Sequence, residues 1–154
     1  MNTEQFIPWF TGLFEGEGSF YITKGIAKGL SLTSTDLDVL ERIQEHLGGN
    51  ICASTTKREH WKQAYIWTIH GINAKRVVEN MQPYLLNRRL NRSQEWISLY
   101  DANVEIQATK KLEQEQKIQQ ILILSETGLT HSQIASQMGY ERSSVTKIIN
   151  KIRP

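Results

Sequence analysis

Phe10-Thr11-Gly12-Leu13-Phe14-Glu15-Gly16-Glu17-Gly18-Ser19-Phe20 is the stretch on which the reading of this chain turns. Its first half is apolar at helical spacing. Pro8 just upstream suits a first helical turn, where its missing N–H is not needed, so a helix is expected from about Pro8 to Glu15, ended by Gly16 and Gly18. Stability alone would not select these residues. A glycine such as Gly12 inside a helix costs about 1 kcal/mol relative to alanine. Gly12 and Gly16 stand four apart on one helix face, which allows a second helix backbone to approach closely. Glu15 and Glu17 fall at the negative end of the helix dipole, where carboxylates are disfavoured. A bound divalent cation would reverse that sign, because the carboxylates then become its ligands.

Downstream, Ser19 to Lys24 alternates, with Phe20 and Ile22 on one face and Tyr21 and Thr23 on the other. After a loop from Gly25 to Gly29, Leu30-Ser31-Leu32-Thr33 alternates again. Asp36 is placed to cap a helix carrying Leu37, Leu40, Ile43 and Leu47, closed by Gly48-Gly49. The order then repeats: a strand near Asn50 to Thr55, a basic turn, a strand from Ala64 to His70 with Tyr65, Trp67 and Ile69 on one face, and a helix from about Asn73 through Val77, Val78 and Met81 to Pro83. Consecutive hairpins predict an antiparallel sheet with helices on one face, an α+β fold in the order αββαββα. The other sheet face is rich in Tyr, Thr and Ser, a hydrogen-bonding surface suited to a DNA major groove. Simple solvent exposure produces the same alternation.

From Gln94 to about Gln120 the chain is rich in Glu, Gln and Lys and reads as a helical connector. Three short helices are then expected: one with Ile118, Ile121, Leu122 and Leu124, ending at Thr127-Gly128; one capped by Thr130 with Ile134, Ala135 and Met138 inside; and one capped by Ser143 with Val145, Ile148, Ile149 and Ile152 inside. Gly139 in the tight turn completes a helix-turn-helix pattern. The expected organisation is a domain over residues 1–103, a helical linker over 104–112 and an all-α helix-turn-helix domain over 113–154. On the last helix, Ser143, Ser144, Thr146, Lys147 and Asn150 are the candidate groove contacts.

Composition narrows the classes. The 154 residues include one cysteine, Cys52, too few for an internal disulfide or a cysteine-rich zinc site. No apolar run reaches the roughly 20 residues of a membrane span, and MNTEQFIPWF lacks the build of a signal peptide, so an intracellular protein is expected. Net charge is only +2, but it is unevenly spread: residues 1–47 hold seven acids and three bases, while 57–92 hold eight bases and two acids. That block fits a polyanionic partner, although solvated surface lysines and arginines give similar blocks. His46, His60, His70 and His131 show no ligand spacing, and Trp9, Trp61, Trp67 and Trp96 are expected in or beside the core.

The quoted stretch resembles the signature motif of LAGLIDADG homing endonucleases. Phe10 takes the place of the first Leu, Gly12 the first Gly, Glu15 the first acid, Glu17 the second acid and Gly18 the last Gly; the Ser-Phe strand and the Trp67-Thr68-Ile69 strand also fit. The resemblance implies an antiparallel saddle sheet and a homodimer of this one-motif chain, packed through Gly12, Leu13 and Gly16. It implies that Glu17 and the Gly16 carbonyl hold a catalytic Mg²⁺ (or Mn²⁺, with Ca²⁺ as a non-catalytic substitute), with Glu15 as an optional further ligand. Arg88, following Pro83-Tyr84-Leu85, takes the place of a basic residue near the scissile phosphate, where relatives usually have lysine. Ser34 or Thr35 is offered as a group orienting a metal-bound water.

The implied function is a homodimer making a staggered double-strand break in a long, near-palindromic duplex, as mobile-intron or phage-type elements encode. Tyr21, Thr23, Ser31, Thr33, Thr35, Ile66 and Thr68 of the sheet, with Lys57, Arg58, Lys62, Arg89 and Arg92, are the expected DNA contacts. Two other readings use the same scaffold: a non-cleaving DNA-binding regulator, which the helical tail recommends, and an RNA maturase acting on an intron.

Overall fold

The structure is a computed structural model that describes residues 3–55 and 62–152. Its first helix, α1 (Thr3–Glu17), exists because Phe6, Phe10 and Phe14 repeat every four residues and so share one stripe. All three are fully buried. Phe10 packs edge-on against Trp67 at 5.7 Å and Phe14 against Phe20 at 5.1 Å. The helix starts five residues earlier than expected, with Pro8 inside it. Burial of Phe6, stacked on the His46 ring at 4.1 Å, draws the chain into helix ahead of the proline.

Helix α1 passes into β1 (Gly18–Thr23) without an intervening loop. Gly16 therefore lies within the helix, and Gly18 makes the junction. A Cβ on Gly18 would sit 2.1 Å from the Phe14 ring, so no other residue fits. Strand β1 pairs antiparallel with β2 (Ile26–Ser34) around Lys24-Gly25, both at positive φ as a two-residue hairpin turn requires. The loop expected over residues 25–29 shrinks to these two residues, because β2 extends back to Ile26 and absorbs a bulge near Tyr21 and Ile22.

Helix α2 (Leu37–Leu47) buries Leu40 and Ile43. Asp36 stands at its N-cap as expected, but its side chain makes no capping bond; instead the Asp36 amide donates to Ser34 Oγ at 3.0 Å. Strands β3 (Asn50–Ala53) and β4 (Tyr65–His70) complete a four-stranded antiparallel sheet in the order β1-β2-β4-β3. Helix α3 (Gly71–Met81) starts two residues earlier than predicted and buries Ala74, Val77, Val78 and Met81. After a 3-10 turn at Gln82–Tyr84, helix α4 runs unbroken from Asn87 to Glu126. The sequence has no glycine or proline in those 40 residues, so the first of the three expected tail helices is the end of α4. The observed order αββαββα and the antiparallel sheet are those expected.

Two compact units divide at Asn103 and Val104. In the first, Trp67 and Trp96 are fully buried, and their indole N–H groups donate to Gly48 O (2.8 Å) and Tyr21 O (3.4 Å). The second has its own core of Ile121, Ile134, Ala135, Val145 and Ile149, built from the end of α4, α5 (His131–Met138) and α6 (Arg142–Ile152). Thr130 caps α5 through a reciprocal capping box with Gln133. Ser143 does not cap α6. The Glu141 carbonyl opens that helix by accepting from Ser144 and Val145, and Ser143 Oγ donates to Glu141 Oε2 at 3.3 Å. Among the described residues no helix is long and apolar enough to cross a membrane.

Gly18→Ala forces either the Phe14 ring or the junction to move, and is expected to lower stability by about 1–3 kcal/mol, read as a fall in the urea midpoint with an unchanged slope.

Candidate nucleic-acid interface

Strand register assembles the sheet face opposite the core row by row. Ser19 faces Ser31, Ser31 faces Thr68, and Thr68 faces Asn50, giving a hydroxyl and amide row across all four strands. A second row runs Thr33, Ile66, Cys52, and a third Tyr21, Gly29, His70. Tyr21, Ser31, Thr33, Ile66 and Thr68 are thus brought together as anticipated. Thr23 lies beyond the bulge at the hairpin end, and Thr35 just past β2. Ser19, Asn50 and His70 belong to the same face and were missed. Alternation with Tyr21 could have found Ser19; the other two depend on the pairing register, which no local pattern reveals.

At the end of α1, Glu17 is exposed, and its carboxylate makes no hydrogen bond or ion pair among the described residues. It lines an open hollow of 480 Å³ with Leu13, Thr33, Ser34, Thr35 and Asp36. Asp36 is thereby a second acid on the hollow that Glu17 lines, hidden in the sequence by its capping position. Around Gly12 and Gly16 a Cβ would meet nothing within 4 Å, so this helix face is open in the single chain. On the other side of the junction, Arg88, Arg89 and Arg92 share a 300 Å³ hollow with Ser19 and Phe20.

Two of the candidates are occupied within the fold. Glu15 Oε1 accepts the Leu86 amide at 2.8 Å, so the disfavoured position of this acid is explained without a metal ion. Arg89 Nη2 donates to the Glu15 carbonyl at 2.9 Å, its guanidinium lies 5.8 Å from the Phe14 ring centre, and its Nε is buried without a partner among the described residues. Arg89 is therefore anchored inward, unlike the exposed Arg88.

The basic block is likewise partly neutralised. Lys75 pairs with Asp101 at 2.7 Å and Glu79 at 3.7 Å, and Arg92 pairs with Glu95 at 2.5 Å. The hydrogen bond that Lys75 donates to Asp101, joined by the charges of Asp101 and Glu79, raises the Lys75 pKa above its ordinary value against the opposing effect of desolvation. Lys62 and Arg76 are exposed; Lys57 and Arg58 lie outside the described residues. In the second unit, Ser143, Ser144, Lys147 and Asn150 are exposed on α6. Thr146 is not free for a groove: its hydroxyl is bonded to His131 Nδ1 at 3.1 Å.

A family model described as a LAGLIDADG-like domain matches residues 8–82, the span from the first helix through both hairpins and α3. Over these residues the chain is similar to LAGLIDADG-like domains. Among solved structures, it shares its fold with the archaeal intron-encoded homing endonuclease I-Vdi141I, solved in complex with DNA, at a TM-score of 0.51 and 16% identity over 97% of this chain and 98% of that one. The homing endonuclease I-CvuI, in complex with its target in the presence of Ca, aligns at a TM-score of 0.45 and 19% identity over 96% and 94% of the two chains. No curated protein sequence matches the chain.

A raised lysine pKa means that the Lys75 pair stabilises fully below the unfolded pKa of about 10.4 and is lost as pH climbs through the higher folded value. Urea midpoints of Lys75→Met and the parent should therefore differ equally at about pH 7 and about pH 9, and converge above about pH 10.4.

Proposed function

We propose that this chain is a homodimeric homing endonuclease that makes a staggered, metal-dependent double-strand break in a long, near-palindromic duplex inside the cell. The observation that carries this reading is the α1–β1 junction. It carries Glu17, exposed and without a carboxylate partner among the described residues, on one side and the exposed Arg88 on the other, both beside a polar four-stranded face. I-Vdi141I, which shares this fold, is described as complexed with DNA, which supports duplex DNA as the partner.

The donor set suits Mg²⁺ or Mn²⁺. Among the described residues the hollow offers oxygen donors, in the carboxylates of Glu17 and Asp36 and the hydroxyls of Thr33, Ser34 and Thr35, and no group of three or more His, Cys, Asp or Glu gathers. Mg²⁺ accepts one or two protein carboxylates and completes its shell with waters and substrate phosphates. Ca²⁺ takes the same donors and would serve as a non-catalytic substitute. When bound, the ion supplies Lewis acidity for phosphodiester hydrolysis. Glu17 would hold it at the end of α1. Arg88 would offset negative charge on the phosphate oxygens, and Thr33 and Thr35, on the Glu17 hollow, can orient a water. Residues 1–103 form the nuclease domain in this reading. The open Gly12 and Gly16 face, flanked by Leu13, is where a second copy packs, so that two Glu17 groups serve the two strands. Residues 113–154 contact the flanks through Ser143, Ser144, Lys147 and Asn150, with 104–112 joining the two.

The capped α5 and the polar surface of α6 favour one second reading, a non-cleaving DNA-binding regulator. Long duplex libraries incubated with Mg²⁺ separate the two: a discrete staggered break supports the nuclease, and tight binding without cleavage at any Mg²⁺ or Mn²⁺ concentration supports the regulator. Glu17→Gln is expected to remove cleavage while leaving DNA affinity intact, and Arg88→Ala to slow single-turnover cleavage by about 10²-fold. Full activity in Glu17→Gln would sink the mechanism.

Gly12→Leu tests the dimer separately. A Cβ at this position meets nothing within 4 Å in the single chain, so the fold is expected to persist, yet a leucine blocks close helix approach; sedimentation should show a folded monomer in place of a dimer.

A further inference from the structure

We infer that Glu15 and Arg89 form a reciprocal clamp between the end of α1 and the start of α4, and that they are positioning residues for Glu17 and Arg88 rather than metal and DNA contacts. Only the identity of the groups being positioned rests on the nuclease reading; the clamp itself does not.

Each residue stands at the wrong end of its own helix. Glu15 is an acid in the last turn of α1, and Arg89 a cation in the first turn of α4; both oppose the local helix dipole. Each is correctly placed on the other helix. Leu86 precedes α4, its carbonyl opens that helix by accepting from Leu90 at 2.8 Å, and its own N–H lies outside the helical ladder. The Glu15 carboxylate takes up this N–H at 2.8 Å, at the positive end of a 40-residue helix. In return, Arg89 donates at 2.9 Å to the Glu15 carbonyl, which lies in the final turn of α1 where no helical amide follows. The Phe14 ring, its centre 5.8 Å from the guanidinium carbon, packs the side chain against α1, and the Arg89 Nε is buried there. Glu17 is two residues beyond one end of the clamp and Arg88 adjoins the other, so the crossed bonds set the spacing between the two backbone segments that carry them.

Glu15→Ala, Glu15→Gln and Arg89→Met test this in the full chain. In metal-free protein, Glu15→Ala should speed hydrogen exchange at the Leu86 amide by about tenfold or more, while Glu15→Gln, whose amide oxygen still accepts, should restore most of the protection. Under saturating Mg²⁺, Glu15→Ala and Arg89→Met should slow single-turnover cleavage by about 10- to 100-fold. The Mg²⁺ midpoint and DNA affinity should stay within about threefold, and Glu15→Gln should recover most of the rate.

Unchanged Leu86 exchange in Glu15→Ala overturns the clamp, whether or not the protein cleaves DNA. A Mg²⁺ midpoint raised about tenfold or more in Glu15→Gln identifies a metal ligand instead. A salt slope reduced by about one in Arg89→Met identifies a phosphate contact instead. A Glu15→Ala protein that fails to fold leaves the decision to Glu15→Gln and Arg89→Met. If the parent chain cleaves nothing, the nuclease reading fails and exchange alone judges the clamp.

Discussion

The phenylalanine stripe of α1 against Trp67 and Phe20 is the contact from which the rest of this molecule follows. Burying Phe6, Phe10 and Phe14 on one side of the helix obliges the opposite side, with Gly12 and Gly16, to face outward. It also sets the Phe14 ring against Gly18, where only a residue without a side chain can turn the helix directly into β1. Because no loop separates the two elements, Glu17 and Ser19 emerge on either side of one rigid junction. Glu17 therefore sits at the end of a helix held by three fully buried phenylalanines, where its position is governed by core packing.

Electrostatics at this junction follows from helix ends more than from net charge. The dipole argument against Glu15 and Glu17 has two different resolutions. Glu15 is satisfied by the amide preceding α4, within the fold. Glu17 has no such partner among the described residues and keeps an unused carboxylate, the expected condition of a group kept for a ligand. The excess of positive charge between residues 57 and 92 divides in the same way: Lys75 and Arg92 answer acids of the chain itself, Arg89 answers a helix terminus, and Arg88 and Lys62 remain outward. A count of bases in that segment overstates what is available to a polyanion.

The tail shows how propensity and packing share the work. Thr130 and Gln133 build their capping box from four consecutive residues, so that helix start was readable locally. The start of α6 was not. Ser143 has the chemistry of a cap, but the turn places the Glu141 carbonyl there and leaves Ser143 bonded to the glutamate side chain. Thr146 likewise has the look of a groove contact until the approach of α5 brings His131 to its hydroxyl.

Periodicity by itself determined the order of helices and strands, the buried face of each, and the polar face of the sheet, because spacings of two and of three to four residues are local properties of the chain. The motif by itself determined the two open glycines and the acid at position 17. What only the tertiary structure decided is which polar groups remain free. Leu86 lies 71 residues from Glu15 and Asp101 lies 26 from Lys75. Strand register likewise joined Asn50 and His70 to the polar face, and the fold put Asp36 on the same hollow as Glu17. A hydrogen bond between distant segments leaves no periodic trace in the sequence, so partnership among charged groups is settled only when the core brings the helix ends together.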